Sequence, residues 1–150
     1  MIWKVCSFFA ALVLVLAISA NVDALIFREY ELDEVVRACS NVVSGKVVSI
    51  DQKKMSFAIG QIKTLRGKEQ FKQIKISLAV ARKDFPAQLM KKLRADDPII
   101  AFYVPVGQQR LEALGYVSNL WIRLFAVRDN SGDFKWYFTH IEKYMNRTFD

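Results

Sequence analysis

Cysteine is scarce in this sequence of 150 residues, where it occurs at Cys6 and Cys39. Cys6 lies in an apolar leader that we expect to be removed, so one thiol would remain and no intramolecular disulfide could form. Small secreted animal domains usually depend on disulfides because their hydrophobic cores are thin. An exported domain with a single cysteine is therefore more typical of a bacterial periplasm or cell surface.

Histidine occurs once, at His140, and one imidazole without a second nitrogen or thiolate ligand makes a poor transition-metal site. The sequence also has no serine elbow, HExxH helix or glycine-rich phosphate loop. A Cys39–His140 nucleophile pair would require the two residues to meet in space beside an orienting third group. We therefore predict no cofactor, no metal and no catalysis. A structural histidine at a strand end is favoured, and an enzyme would need His140, Glu142 and a basic residue in one pocket.

The strongest apolar run lies at the N-terminus. One lysine stands among the first four residues, Phe8–Ile18 is apolar, and Val22 and Ala24 are small residues at the −3 and −1 positions of a cleavage site. This pattern predicts a signal peptide over residues 1–24, with cleavage after Ala20 as the alternative. The protein would then be secreted or reside in the periplasm or cell envelope. An uncleaved anchor is the other interpretation, and membrane contact is expected only through it.

Two short helices are predicted within residues 25–150. Residues 31–40 place Leu32, Val35, Val36 and Cys39 at i, i+3, i+4 and i+7, which makes one apolar stripe. Cys39 ends that stripe, so we expect a buried small hydrophobic side chain rather than a reactive thiol.

The second helix begins with a capping acid and a first-turn proline at residues 84–86. Phe85, Leu89 and Leu93 lie one turn apart on it, and cationic residues follow near its end, where they suit the helix dipole. A final helical turn is predicted at residues 141–145.

Alternating apolar residues and turn signals predict the strands. Gly60 interrupts the alternation of the second strand, as a β-bulge or a barrel corner would require. Near the C-terminus, alternation puts Trp136 and Phe138 on one face and Tyr137 on the other, with core packing favoured over an exposed patch. The predicted strands are 42–50, 55–65, 74–80, 99–104, 111–116, 121–127 and 134–139.

This order predicts a mainly β fold with short helices. Three meandering strands, a helix and two closing strands form the connectivity of an OB-like small β-barrel. The additional C-terminal hairpin around Asn130–Gly132 would extend or cap that barrel. Residues 25–150 are thus expected to form one OB-like domain, with no repeat, low-complexity tract or linker.

Two segments, residues 42–49 and 57–68, resemble the netrin-like modules of tissue inhibitors of metalloproteinases and of many secreted proteins. The resemblance covers roughly residues 32–104 and implies an OB-type barrel. In the inhibitors, a cysteine at the mature N-terminus meets the protease zinc, and disulfides fix the surrounding loops. Here the mature chain would begin at Leu25 with one cysteine, so the resemblance does not imply inhibition.

The formal net charge is +7. OB barrels commonly bind oligonucleotides or oligosaccharides on the face around their second and third strands, which suggests a ligand-binding basic face. The other interpretation is an ordinary solvated sheet surface. The candidate ligand-binding residues are Lys63, Arg66, Lys68, Lys72 and Lys75.

Together these patterns predict an exported, non-catalytic binding or accessory module whose ligand is unknown. Its partner would be an envelope or extracellular protein or an anionic polymer, since export separates the chain from most nucleic acid. The alternative is a basic OB-type barrel that binds nucleic acid or another polyanion.

Overall fold

The computed structural model describes residues 32–68, 71–82 and 84–143. The predicted signal peptide lies outside these residues, as do positions 144–145 of the predicted final helical turn, while Ile141 belongs to the last strand. In the described part of the chain, no helix is both long and apolar enough to cross a membrane. Export therefore stays a prediction.

Two helices and seven strands make up the described residues, close to the predicted segments. In chain order they are α1 Leu32–Ala38, β1 Asn41–Asp51, β2 Ser56–Arg66, β3 Ile74–Ser77, α2 Asp84–Lys92, β4 Pro98–Val106, β5 Arg110–Val117, β6 Leu120–Arg128 and β7 Phe134–Ile141.

The strands form a closed barrel in the order β1-β2-β3-β7-β6-β5-β4. Neighbouring strands are antiparallel except at the β3–β7 seam, where Ile76 and Ser77 pair in parallel with Trp136 and Tyr137. This architecture confirms the predicted mainly β, OB-like barrel with short helices. The C-terminal hairpin extends the barrel, because β6 and β7 are strands of its wall and β7 closes against β3.

Alternating side chains of the strands fill the barrel, and Leu89 and Met90 of α2 close it together with Leu93, which directly follows the helix. The burial of Leu89 and Leu93 follows from their predicted one-turn spacing, whereas Phe85 of the same stripe is half-buried.

In the predicted strand 74–80, alternation would place Val80 on the same inner face as Ile74 and Ile76, but Val80 is 56% exposed. The reason is that β3 ends at Ser77 and the chain turns before Val80.

The β1–β2 pair contains register shifts of the kind that bend a strand pair and increase its twist. Ser44 pairs with Lys63 and Lys46 with Gly60, so β2 has one residue more than β1 in this interval. The extra residue adjoins Gly60 at Gln61, which has a φ of 52°. Gly45 allows the close approach here, because a Cβ at this position would lie 2.8 Å from the carbonyl oxygen of Gly60.

Helix α1 lies on the outside of the barrel. Its predicted apolar stripe packs against a second hydrophobic cluster, which includes Phe102, Leu114 and Trp121 on β4, β5 and β6. Cys39 belongs to this outer layer and is half-buried, rather than a member of the barrel core. The outer layer is thin, because no residue of α1 is fully buried.

Candidate functional site

The five predicted basic residues are all exposed and follow β2, β3 and their connection. They do not form one cluster. Lys63 is in register with Ser44, whereas Lys75 is in register with Ala58. These positions are five residues apart along β2, or roughly 16 Å at the rise of a strand. Lys68 and Lys72 lie in the connection between the two strands.

The guanidinium of Arg66 forms hydrogen bonds with the protein backbone. Its Nη1 donates to the carbonyl oxygens of Val36 at 2.7 Å and Cys39 at 3.3 Å. These carbonyls lie at the end of α1, where the backbone has acceptors without partners inside the helix. The guanidinium therefore attaches α1 to the end of β2.

Lys63 lines an open groove of about 760 Å³ together with Lys46, which is not among the five basic residues predicted from the sequence. The groove crosses β2, β1 and β4 and ends at the β5–β6 turn. Its lining residues are Ser44, Gly45, Lys46, Gln61, Lys63, Asp97, Pro98, Ile99, Ile100, Tyr116, Ser118 and Asn119. We call this feature the lysine groove.

The lysine groove is electropositive although Asp97 lines it. Oδ2 of Asp97 accepts hydrogen bonds from the Ser118 hydroxyl and, at 2.9 Å, from the backbone N–H of Arg94. Among the residues that the structure describes, no carboxylate lies within ion-pair distance of Lys46 or Lys63. Both lysine side chains are therefore available to an anionic ligand.

The β5–β6 turn supplies the polar end of the groove. Ser118 and Asn119 have φ values of 50° and 60°, the left-handed pair of a two-residue hairpin turn. The carboxamide oxygen of Asn119 accepts a hydrogen bond from the Tyr116 hydroxyl at 3.2 Å, which leaves the amide N–H groups as donors. The sequence signal that would have located this turn is an asparagine between the predicted strands 111–116 and 121–127.

A second site lies near the end of β7, where β7 has one residue more than β6 between two consecutive register pairs. Leu124 of β6 is in register with Phe138, while Arg123 is in register with His140. Thr139 is therefore the extra residue of a β-bulge, which reverses the alternation of the side chains that follow. His140 consequently lies on the outer face beside Arg123, whereas an unbulged strand would turn it toward the core.

The bulge brings His140, Glu142 and basic side chains into one cleft of about 470 Å³. Oε2 of Glu142 lies 3.6 Å from His140 Nε2 and 3.5 Å from Arg123 Nη2. The Glu142 side chain is 7% exposed, so Arg123 stabilises a carboxylate that is largely removed from water. This arrangement meets the condition that the enzymatic hypothesis required. The cleft is lined by Val80, Arg82, Phe85, Thr139, His140, Ile141, Glu142 and Lys143, and we call it the His140 cleft.

The hydrogen bonds of the cleft do not favour a nucleophile. The Thr139 hydroxyl donates to the carbonyl oxygen of Arg123 at 3.2 Å, and its oxygen lies 3.0 Å from His140 Nδ1. Nδ1 must then carry the proton of that contact, so the imidazole cannot remove the threonine proton through it. Cys39 is also a poor nucleophile, because burial raises the pKa of its thiol more than nearby Arg123 and Arg66 lower it.

The aromatic residues of β6 and β7 divide between the two faces of the wall, as their alternation predicts. Trp136 and Phe138 are buried in the barrel. On the outer face, the rings of Tyr137 and Phe125 stack with centroids 5.0 Å apart, and the Arg110 guanidinium lies 5.0 Å from the Phe125 centroid. These outer rings are half-buried by one another.

No protein-family model, curated protein or solved structure gives a significant match to this chain. In the described part of the chain, no group of three or more His, Cys, Asp or Glu side chains could hold a metal ion. The lysine groove and the His140 cleft each combine cationic side chains with an accessible cavity.

Proposed function

We propose that this protein is a non-catalytic binding domain that holds an anionic polymer in the lysine groove. The observation that carries the proposal is the position of Lys46 and Lys63 in one open groove, without a carboxylate partner among the described residues. Two cations in such a groove raise the local concentration of an anionic ligand and bind its charged groups directly.

The distribution of charge favours a polymer over a small ion. Residues 52–83 contain nine lysines and arginines but one acidic residue, Glu69. Positive charge therefore continues from the groove along β2 and β3, as far as exposed Lys68, Lys72 and Lys75. An extended polyanion that follows this surface would contact several cations at once, while Asn119 and Gln61 offer amide donors at the groove itself.

The proposal is tested by salt-dependent retention on immobilised heparin and on single-stranded DNA. We expect retention of the unaltered protein to fall steeply as salt rises. The double variant Lys46→Gln/Lys63→Gln should elute from heparin at a clearly lower salt concentration. A control with the same change of charge is Lys91→Gln/Lys92→Gln, on the exposed end of α2.

Two results would overturn the proposal. One is retention that does not respond to salt in the unaltered protein. The other is an equal loss of retention in the Lys91/Lys92 control, because total charge rather than the groove would then determine binding. Stronger retention on single-stranded DNA than on heparin would assign the same groove to nucleic acid.

Within this proposal, the relationship to netrin-like modules is a hypothesis about ancestry. The closed barrel and the pattern of residues 42–68 support it. The mature chain predicted here has Cys39 as its one cysteine, so the proposed function does not include protease inhibition.

A further inference from the structure

We propose that the His140 cleft is a second binding site, for a small molecule that carries an oxyanion on an apolar group. The cleft has no lining residue in common with the lysine groove. This inference is therefore independent of the proposed polymer binding. The cleft volume of about 470 Å³ lies in the range of small-molecule sites.

The charge of the cleft selects an anion. The ionisable groups that line it are Arg82, His140, Glu142 and Lys143. Glu142 is the one carboxylate among them. Its negative charge is offset by Arg123, which does not line the cleft and whose Nη2 lies 3.5 Å from Oε2 of Glu142. Neither Arg82 nor Lys143 forms an ion pair with a residue that the structure describes. Two cationic side chains are thus left to face a ligand.

The opposite wall of the cleft is apolar. Val80 is 56% exposed, and it lines the cleft together with Phe85. The centroid of Phe85 is 6.2 Å from that of His140, and Lys143 Nζ lies 6.0 Å from the Phe85 centroid. An apolar group held against Val80 and Phe85 would therefore place an attached oxyanion near these cations.

The contacts behind the imidazole fix its position. The hydroxyl oxygen of Thr139 lies 3.0 Å from His140 Nδ1, and the buried Glu142 carboxylate lies beside His140 Nε2. Glu142 is itself held by Arg123 and by a backbone hydrogen bond from its N–H to the carbonyl oxygen of Trp121 at 2.8 Å. An imidazole supported in this way forms a fixed part of the cleft wall, and it loses little side-chain freedom when a ligand binds.

The experiment uses His140 as its own reporter, because it is the single histidine of the sequence. We would titrate the tag-free protein with phenyl phosphate, benzoate, inorganic phosphate and phenol, and follow the imidazole C–H resonances by NMR. We expect a saturable shift with phenyl phosphate and at least tenfold weaker binding of inorganic phosphate and of phenol. A saturable shift with benzoate as well would show that the site also binds carboxylates. If benzoate gives no saturable shift, the site is specific for phosphates.

Variants distinguish this cleft from general attraction of anions. Arg82→Gln/Lys143→Gln should weaken phenyl phosphate at least tenfold, and Val80→Ser should reduce its advantage over inorganic phosphate without endangering the fold. Lys91→Gln/Lys92→Gln, with the same change of charge, should bind phenyl phosphate like the unaltered protein. The proposal is wrong if no probe gives a saturable shift, if phenol binds as well as phenyl phosphate, or if the control variant is equally weakened.

Discussion

Arg66 illustrates why a basic residue on a basic face need not be a ligand. The sequence places it in line with Lys63 and Lys68, and it is exposed as they are. Its guanidinium nevertheless donates to two carbonyls at the end of α1. A cation at this position also interacts favourably with the negative end of the helix dipole. The structural role was invisible in the sequence because Arg66 lies 30 and 27 residues from the two carbonyls that it contacts.

Replacing Arg66 by glutamine should loosen α1 and leave polymer binding nearly unchanged. The lost hydrogen bonds are exposed to solvent, so we expect about fivefold faster hydrogen exchange in α1, the equivalent of about 1 kcal/mol. Amide exchange of residues 36–40 measures this, with Lys68→Gln as the control. Unchanged exchange together with a large loss of heparin retention would show that Arg66 is a ligand-binding residue instead.

At the scale of elements, α2 connects strands β1–β3 to strands β4–β7 and fills the end of the barrel. Leu89 is fully buried and lies in the same cluster as residues of β1, β3 and β7. Its helix begins where the acid and proline at residues 84–86 predicted. Because α2 completes the core, its removal would expose the interior of the barrel.

Leu89→Ala should therefore lower the free energy of unfolding by about 2–5 kcal/mol, the usual range for truncation of a fully buried leucine. Urea unfolding followed by tryptophan fluorescence measures the change. Gln88→Ala, at the adjacent exposed position, should stay within about 0.5 kcal/mol. A loss similar to that of the control would mean that α2 contributes little to the core.

The elements were predictable to a larger extent than the sites they build. Period-two alternation and turn residues are local, and they located every described strand to within a few residues. Val80 shows the limit of such predictions, since the alternation of apolar residues continues past Ser77, where the hydrogen bonding of β3 ends.

The bulge at Thr139 had no local signal, because threonine is an ordinary strand residue. The orientation of His140 depends on the pairing of β7 with β6. The position of Lys46 and Asn119 in one groove depends on the pairing of β1, β4 and β5. Local sequence patterns do not contain these pairings between distant segments.

At the scale of the whole molecule, the closure of the barrel is uneven. β5 is in register with β4 and with β6 over eight residue pairs each. β3 instead has four pairs with β2 and two with β7. Since each ladder contributes hydrogen bonds and cross-strand contacts, the β3–β7 seam is the weakest part of the wall.

We expect the seam to open before the rest of the barrel. Under native conditions, the protected amides of β3 should exchange at least tenfold faster than those in the middle of β5, because partial opening exposes an edge before it exposes a central strand. Site-resolved hydrogen exchange at several denaturant concentrations measures this difference. Equal protection of the two strands would show that the barrel opens as one cooperative unit.

The parallel direction of that seam restricts how such a barrel can change in size. From β4 to β7 every neighbour runs opposite to the one before it, so the direction of the closing strand depends on whether the number of strands is odd or even. Insertion of a whole hairpin adds two reversals and preserves parallel pairing with β3. One added strand would reverse the closing strand, so a wall of this topology keeps its strand directions only when it lengthens by whole hairpins, each of which also widens the barrel.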